Sequence, residues 1–183
     1  MKEWYIRNRK WFVAVVGILI LWRLLFGGDD GLSQEEFEEE LKTLSDGQIL
    51  VSNSGIAELE KESLYMADWN GFIIVTRVEK GKLTLPYAIM TPQIDTMNEI
   101  SIGQYRQLAA SLSGVADSSL SVDERYSIVD NQLNFNSSLF VHREFTTAKG
   151  KFEYSLEGAD STTPFSSFTV YKEGQQKEIQ KVL

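Results

Sequence analysis

The sequence predicts an α+β protein: an N-terminal transmembrane helix, then helices packed on a curved antiparallel sheet. Three observations predict it. A cationic head feeds an apolar run that holds a single charge. Two boxes of the form Ser-x-x-Glu/Gln introduce helical patterns in the first two thirds of the chain. From Arg125 onward the apolar period shortens to two, with turn residues between the runs. Helices first and an antiparallel meander last is the order in which helices cover one face of a sheet.

The head, residues 1–10, carries Lys2, Arg7, Arg9 and Lys10, and the run from Trp11 to Phe26 contains Arg23 as its only charged residue. A helix over 11–26 rises about 24 Å, short of the roughly 30 Å hydrocarbon core, so its ends must help. Arg23 lies within a turn of Phe26, where its stem runs along apolar surface while the guanidinium reaches the headgroups. Trp11 and Trp22 are of the interfacial residue type. A cleaved signal peptide would end in small residues, whereas this run leaves through Leu24-Leu25-Phe26-Gly27-Gly28. The reading is an uncleaved single span.

Orientation follows from charge. Residues 1–26 carry a net +4, which leaves −12 on the remainder of a chain whose total is −8. Short segments rich in Lys and Arg stay in the cytoplasm, so residues 27–183 are expected outside it. The chain has no cysteine, so no disulfide framework can hold that domain and a hydrophobic core must. The profile suits the surface of a bacterium with a single, Gram-positive type of membrane.

Residues 27–55 read as an acidic linker with one capped helix, and 56–183 as the extracytoplasmic α+β domain. Ser33-Gln34-Glu35-Glu36 is a capping box, and Phe37, Leu41 and Leu44 form a narrow apolar stripe that either packs on the domain or pairs with another chain. Asp46-Gly47 stops that helix. Residues 48–68 are ambiguous: Ile49 and Val51 suit a strand, while Asn53 or Ser54 would cap a helix carrying Ile56, Leu59 and Leu64. Phe72 to Val78 and Leu83 to Ile89 form a hairpin around Glu79-Lys80-Gly81-Lys82, with Pro86 at an edge or a bulge. Ser101-Ile102-Gly103-Gln104 introduces a helix faced by Ile102, Tyr105, Leu108, Ala109 and Leu112 and ended by Gly114. Strands are then expected at Tyr126–Val129, Leu133 with Phe135, Leu139–Phe145, Phe152–Leu156 and Phe168–Tyr171. The tail from Lys177 suits either a strand or a helix.

Chemistry is sparse. Without Cys there is no thiol nucleophile or thiolate metal site, and a single His, His142, removes multi-histidine zinc sites. His142 sits in a strand pattern and reads first as a strand residue, with a catalytic base or pH-sensitive contact as the alternative. Nucleophile-elbow, phosphate-loop, dinucleotide and zinc-protease signatures are missing. Asp29, Asp30, Asp117 and Asp123 lack calcium-loop spacing, and paired carboxylates for glycoside hydrolysis cannot be read from spacing. The Asn136-Ser137-Ser138 sequon matters only on a eukaryotic secretory route. Outside the anchor 25 acidic residues face 13 basic ones, so direct nucleic-acid binding is not expected. No catalytic residue, cofactor or metal is expected. Trp69, Phe165 and Tyr171 are candidates for a protein contact patch, with core packing as the other reading.

The architecture of Lys2 through Phe26 plus the element order from Ser33 to Leu183 resembles the bitopic scaffold proteins of type IV secretion systems, whose outer domain is NTF2-like. Size and the cysteine-free acidic ectodomain are similar to the TraH-type transfer proteins of Gram-positive conjugative plasmids. The resemblance implies a non-enzymatic assembly factor that contacts other secretion-channel subunits and the membrane, and that forms homo-oligomers. It also implies helices within residues 48–68, where a strand would be a departure. The competing expectation is a tethered sensor or ligand-binding module with an NTF2-like or cystatin-like cup.

Overall fold

The computed structural model describes residues 31–59, 62–92, 99–134, 143–147, 151–157 and 165–173. The predicted anchor and its topology residues, Lys2 through Phe26, lie outside the described residues, as do Asp29, Asp30, Asn136, His142 and the tail from Lys177. Among the described residues no helix is long and apolar enough to cross a membrane.

The order is α1 (Gln34–Leu44), β1 (Ser52–Glu58), β2 (Ser63–Trp69), β3 (Phe72–Glu79), β4 (Lys82–Pro92), α2 (Glu99–Ala116), α3 (Val122–Ser127) running into a π-helical turn (Ile128–Gln132), then β5 (Arg143–Thr146), β6 (Phe152–Glu157) and β7 (Phe165–Lys172). The described strands join one antiparallel sheet in the order β1-β2-β3-β4-β7-β6-β5. The α+β class is therefore as expected, but the distribution is not. A four-strand meander comes first, a helical block second, and the last three strands add beside β4.

The Ser33 capping box forms as read: Ser33 Oγ accepts from Glu36 N–H at 3.2 Å and Glu36 Oε2 accepts from Ser33 N–H at 2.8 Å. Asp46 and Gly47, with φ of 53° and 81°, turn the chain out of α1 while Gly47 N–H closes on Lys42 O at 2.8 Å. The apolar stripe of α1 packs on the sheet. Phe37 is fully buried, its ring edge-on to Tyr65 and Tyr87 at 5.6 and 5.3 Å between centroids. Leu41 is buried beside it.

Residues 52–58 and 63–69 are strands, not a capped helix. Alternation decides this: Tyr65, Ala67 and Trp69 are buried while Met66 faces out, a period of two that a helix cannot bury. Trp69 is accordingly core. Both hairpin turns, Asn70-Gly71 and Lys80-Gly81, have positive φ at both positions, the primed geometry that matches strand twist. Pro86 sits at a bulge in the middle of the sheet: Thr76 faces Tyr87 and Arg77 faces Thr84, so Leu85 and Pro86 are extra residues. The Leu85–Pro86 bond is cis.

The second helix departs from its expected limits. It starts at Glu99, ahead of Ser101, and passes through Gly114 to Ala116. Gly114 is there for close approach: a Cβ would lie 2.7 Å from Arg125 Cδ. The expected strand at Tyr126–Val129 is also helical. Ser121 and Glu124 form a full capping box, and Ile128, Val129 and Leu133 bury one helical face, which outweighs the β-propensity of Ile and Val.

Candidate protein-binding edge

Among the described residues the sheet ends at β1 on one side and β5 on the other. The described part of β5 exposes Arg143 and Glu144, charges of the kind that resist pairing at an edge. β1 is different. It has seven residues, pairs with β2 alone among the described residues, and is exposed along most of its length. Leu50, Ile56, Leu59 and Met66, exposed by 62, 44, 54 and 42 %, lie just before it, in it, just after it and across from its Gly55. Among the described residues four of the six exposed large hydrophobics thus lie at or beside one strand, Ile56 on the face it shares with Tyr65 and Met66 on the opposite face, next to main-chain groups that can take another strand. A break in register between Ser52 and Gly55, with Asn53 at φ 48°, twists the start of the strand and leaves Gly55–Glu58 as its regular part.

Helix α1 roofs this edge. Gln34 Nε2 donates to Ser54 Oγ at 3.3 Å and to Glu38 Oε1 at 2.9 Å, and Tyr65 O–H donates to the same Glu38 oxygen at 2.9 Å. Burial raises the Tyr65 phenol above its ordinary value, and the hydrogen bond and charge of Glu38 push it the same way. Glu35 and Glu39 are exposed on α1, Glu39 paired with Lys42 at 2.9 Å, so the α1 side of the edge carries acidic side chains.

Other polar groups serve the fold. Arg106 donates from two nitrogens to the carboxylate of Asp130, which raises its pKa, and its guanidinium lies 4.6 Å from the Tyr126 ring centre, tying α2 to the π-helical turn. Burial raises Tyr105 and Tyr154, the latter also through the charge of Asp117. Asp117 accepts from Ser119 N–H and O–H at 3.0 and 2.6 Å, and Asp123 lies in the first turn of α3. Among the described residues no cluster of three or more His, Cys, Asp or Glu side chains could hold a metal ion. Tyr171 is half-buried, apart from Trp69.

No protein-family model matches the chain, and neither a curated protein nor a solved structure matches it. The signal for β2 was present in the sequence: Asn70-Gly71 is the strongest short hairpin dipeptide, and reading back from it gives a strand before the turn.

Proposed function

We propose that this chain is a membrane-anchored, non-enzymatic assembly factor of a type IV secretion machine for conjugative DNA transfer, working through protein contacts. The exposed edge at β1 carries this reading, because a strand with main-chain groups open to a further strand and exposed apolar side chains on both faces takes an extended segment of another protein. The fitting segment is an apolar strand with basic flanks, which would meet the carboxylates of α1. Helices on one face of an antiparallel sheet agree with an NTF2-like or cystatin-like domain. β1 and β2 stand where the NTF2-like order implies helices, so the edge carries the assembly reading and the fold does not.

The test is recovery of partners from detergent-solubilised membranes with the full chain and with Ile56→Lys, which charges the edge at an exposed position. The wild type is expected to bring down other channel subunits and a secretion ATPase. The variant should lose them about tenfold or more, equivalent to about 1.4 kcal/mol, with its thermal midpoint unchanged. Equal recovery with both chains refutes the edge. A wild-type chain that travels alone and is stabilised by a small apolar molecule refutes the assembly function in favour of a tethered ligand-binding module.

A further inference from the structure

We infer that Gly55 seats a large apolar side chain of an incoming antiparallel strand, and that the same strand sets a Lys or Arg against Glu58, three residues ahead of that side chain. The inference rests on the reading of β1 as the binding edge and names the chemistry of the partner there.

The register shows which groups of β1 are open. Leu59 N–H donates to Glu62 O at 2.9 Å, so these two face each other as a hydrogen-bonded pair. Ala57–Leu64 and Gly55–Met66 continue the same register. Such pairs alternate along a strand, so the main-chain groups of Gly55, Ala57 and Leu59 turn to β2, while the N–H and C=O of Ile56 and Glu58 turn outward. Every pairing in the described sheet is antiparallel, and a strand added in that sense bonds at Ile56 and Glu58. Side chains alternate too: Ile56 and Glu58 share the face of Tyr65, whereas Gly55 and Ala57 share that of Met66 and Leu64.

Among the described residues nothing requires a glycine at position 55. Its φ lies outside the left-handed region, and a Cβ would meet no atom within 4 Å. Glycine inside a strand weakens it, and where the fold has no use for one it marks the close approach of another chain. What Gly55 leaves is a gap beside Met66, its partner on β2, which stays 42 % exposed while Tyr65 and Ala67 on either side are buried. A bulky side chain opposite Gly55 lies across the glycine onto Met66. Aromatic rings cover edge glycines in this way, and a ring against the Met66 sulfur is a favourable contact.

Charge selects the occupant. From Gly31 to Trp69 the described residues hold nine acidic side chains, six up to Asp46 and three from Glu58 to Asp68, against Lys42 alone, and Lys42 is paired with Glu39. A second copy of the chain would bring the same excess to the edge and be repelled, whereas a basic segment is attracted. Glu58 projects from β1 itself, exposed, with Ser63 O–H donating to it from β2. A Lys or Arg directly across from it makes the favourable cross-strand pair. Antiparallel pairing places that residue three positions before the one opposite Gly55.

The test titrates the full chain in detergent into a blocked, fluorescein-labelled peptide, Ser-Ile-Lys-Val-Thr-Phe-Lys, whose first Lys meets Glu58 when its Phe meets Gly55, and follows anisotropy. Replacing the Phe by Ala should weaken binding to the wild type about tenfold, but to Gly55→Val or Met66→Ala by no more than about twofold. Gly55→Val should keep the thermal midpoint, since its side chain enters open space. Replacing the first Lys by Glu should weaken binding about tenfold, and less with Glu58→Gln. A Phe-to-Ala ratio that either variant leaves intact, indifference to the Lys, or tighter binding of the reversed peptide overturns the inference while the edge stands. So does failure of the peptide to bind when Ile56→Lys still strips partners from solubilised membranes. No peptide bound and no partner lost with Ile56→Lys overturns both. Self-association that excludes the peptide and is abolished by Gly55→Val gives the edge to a second copy and overturns the inference.

Discussion

Replacing Gly114 by alanine separates two opposed physical effects at one position. In a helix interior alanine is favoured over glycine by about 1 kcal/mol, so propensity alone predicts a gain. The packing predicts the reverse. The added Cβ would lie 2.7 Å from Arg125 Cδ, 3.0 Å from Arg125 Nη1 and 3.0 Å from Leu44 Cδ1. Arg125 is only 7 % exposed, so its stem has little room to move, and Nη1 donates to Leu44 O at 3.5 Å, at the C-terminal end of α1. Losing a hydrogen bond from a buried cation costs about 1.5–3 kcal/mol, and overpacking adds about 1–3 kcal/mol. Net of the propensity gain, Gly114→Ala should destabilise the domain by about 2–4 kcal/mol, a fall in Tm of roughly 5–15 °C for a chain of this size.

The assay is urea and thermal unfolding of the full chain in detergent, followed by circular dichroism, within a double-mutant cycle. Arg125→Met alone should shift stability by less than about 1.5 kcal/mol, because Arg125 Nε has no partner among the described residues and a buried charge with incomplete partners is replaceable by an apolar side chain. In that background Gly114→Ala should be neutral or stabilising, giving a coupling of about 2 kcal/mol or more. A stability gain for Gly114→Ala in the wild-type background, or a coupling near zero, would refute the close-approach explanation of this glycine.

Two further outcomes are expected. Gly31→Ala should cost about 2–4 kcal/mol, from left-handed strain and from prising Leu32 off Leu83, and hydrogen exchange at the Leu32 and Leu83 amides should accelerate first; unchanged protection would show the bridge to be unimportant. Tyr65, Tyr105 and Tyr154 keep their phenol protons above the ordinary value of 10.0, so above that pH the unfolded chain holds fewer protons and stability falls as pH rises. The loss should begin near pH 10 at about 1.4 kcal/mol per pH unit for each tyrosine, about 4 for all three, and phenolate absorbance should show at least three of the seven tyrosines titrating only as the chain unfolds.

How much of this was legible follows from which signals are local. The Ser33 box, the Asp46-Gly47 stop, the Lys80-Gly81 hairpin and the bulge at Pro86 depend on neighbours in sequence, and each appears as read. Tyr126–Val129 was misread because Ile and Val favour strands, while the deciding box, Ser121 to Glu124, begins five residues earlier. Gly114 looked like a helix stop because its reason, Arg125, lies in another helix. The candidate edge was least legible of all. A strand's place at the end of a sheet is set by which strands pair, and the return of β7 to β4 across the helical block is a long-range event that no local spacing encodes.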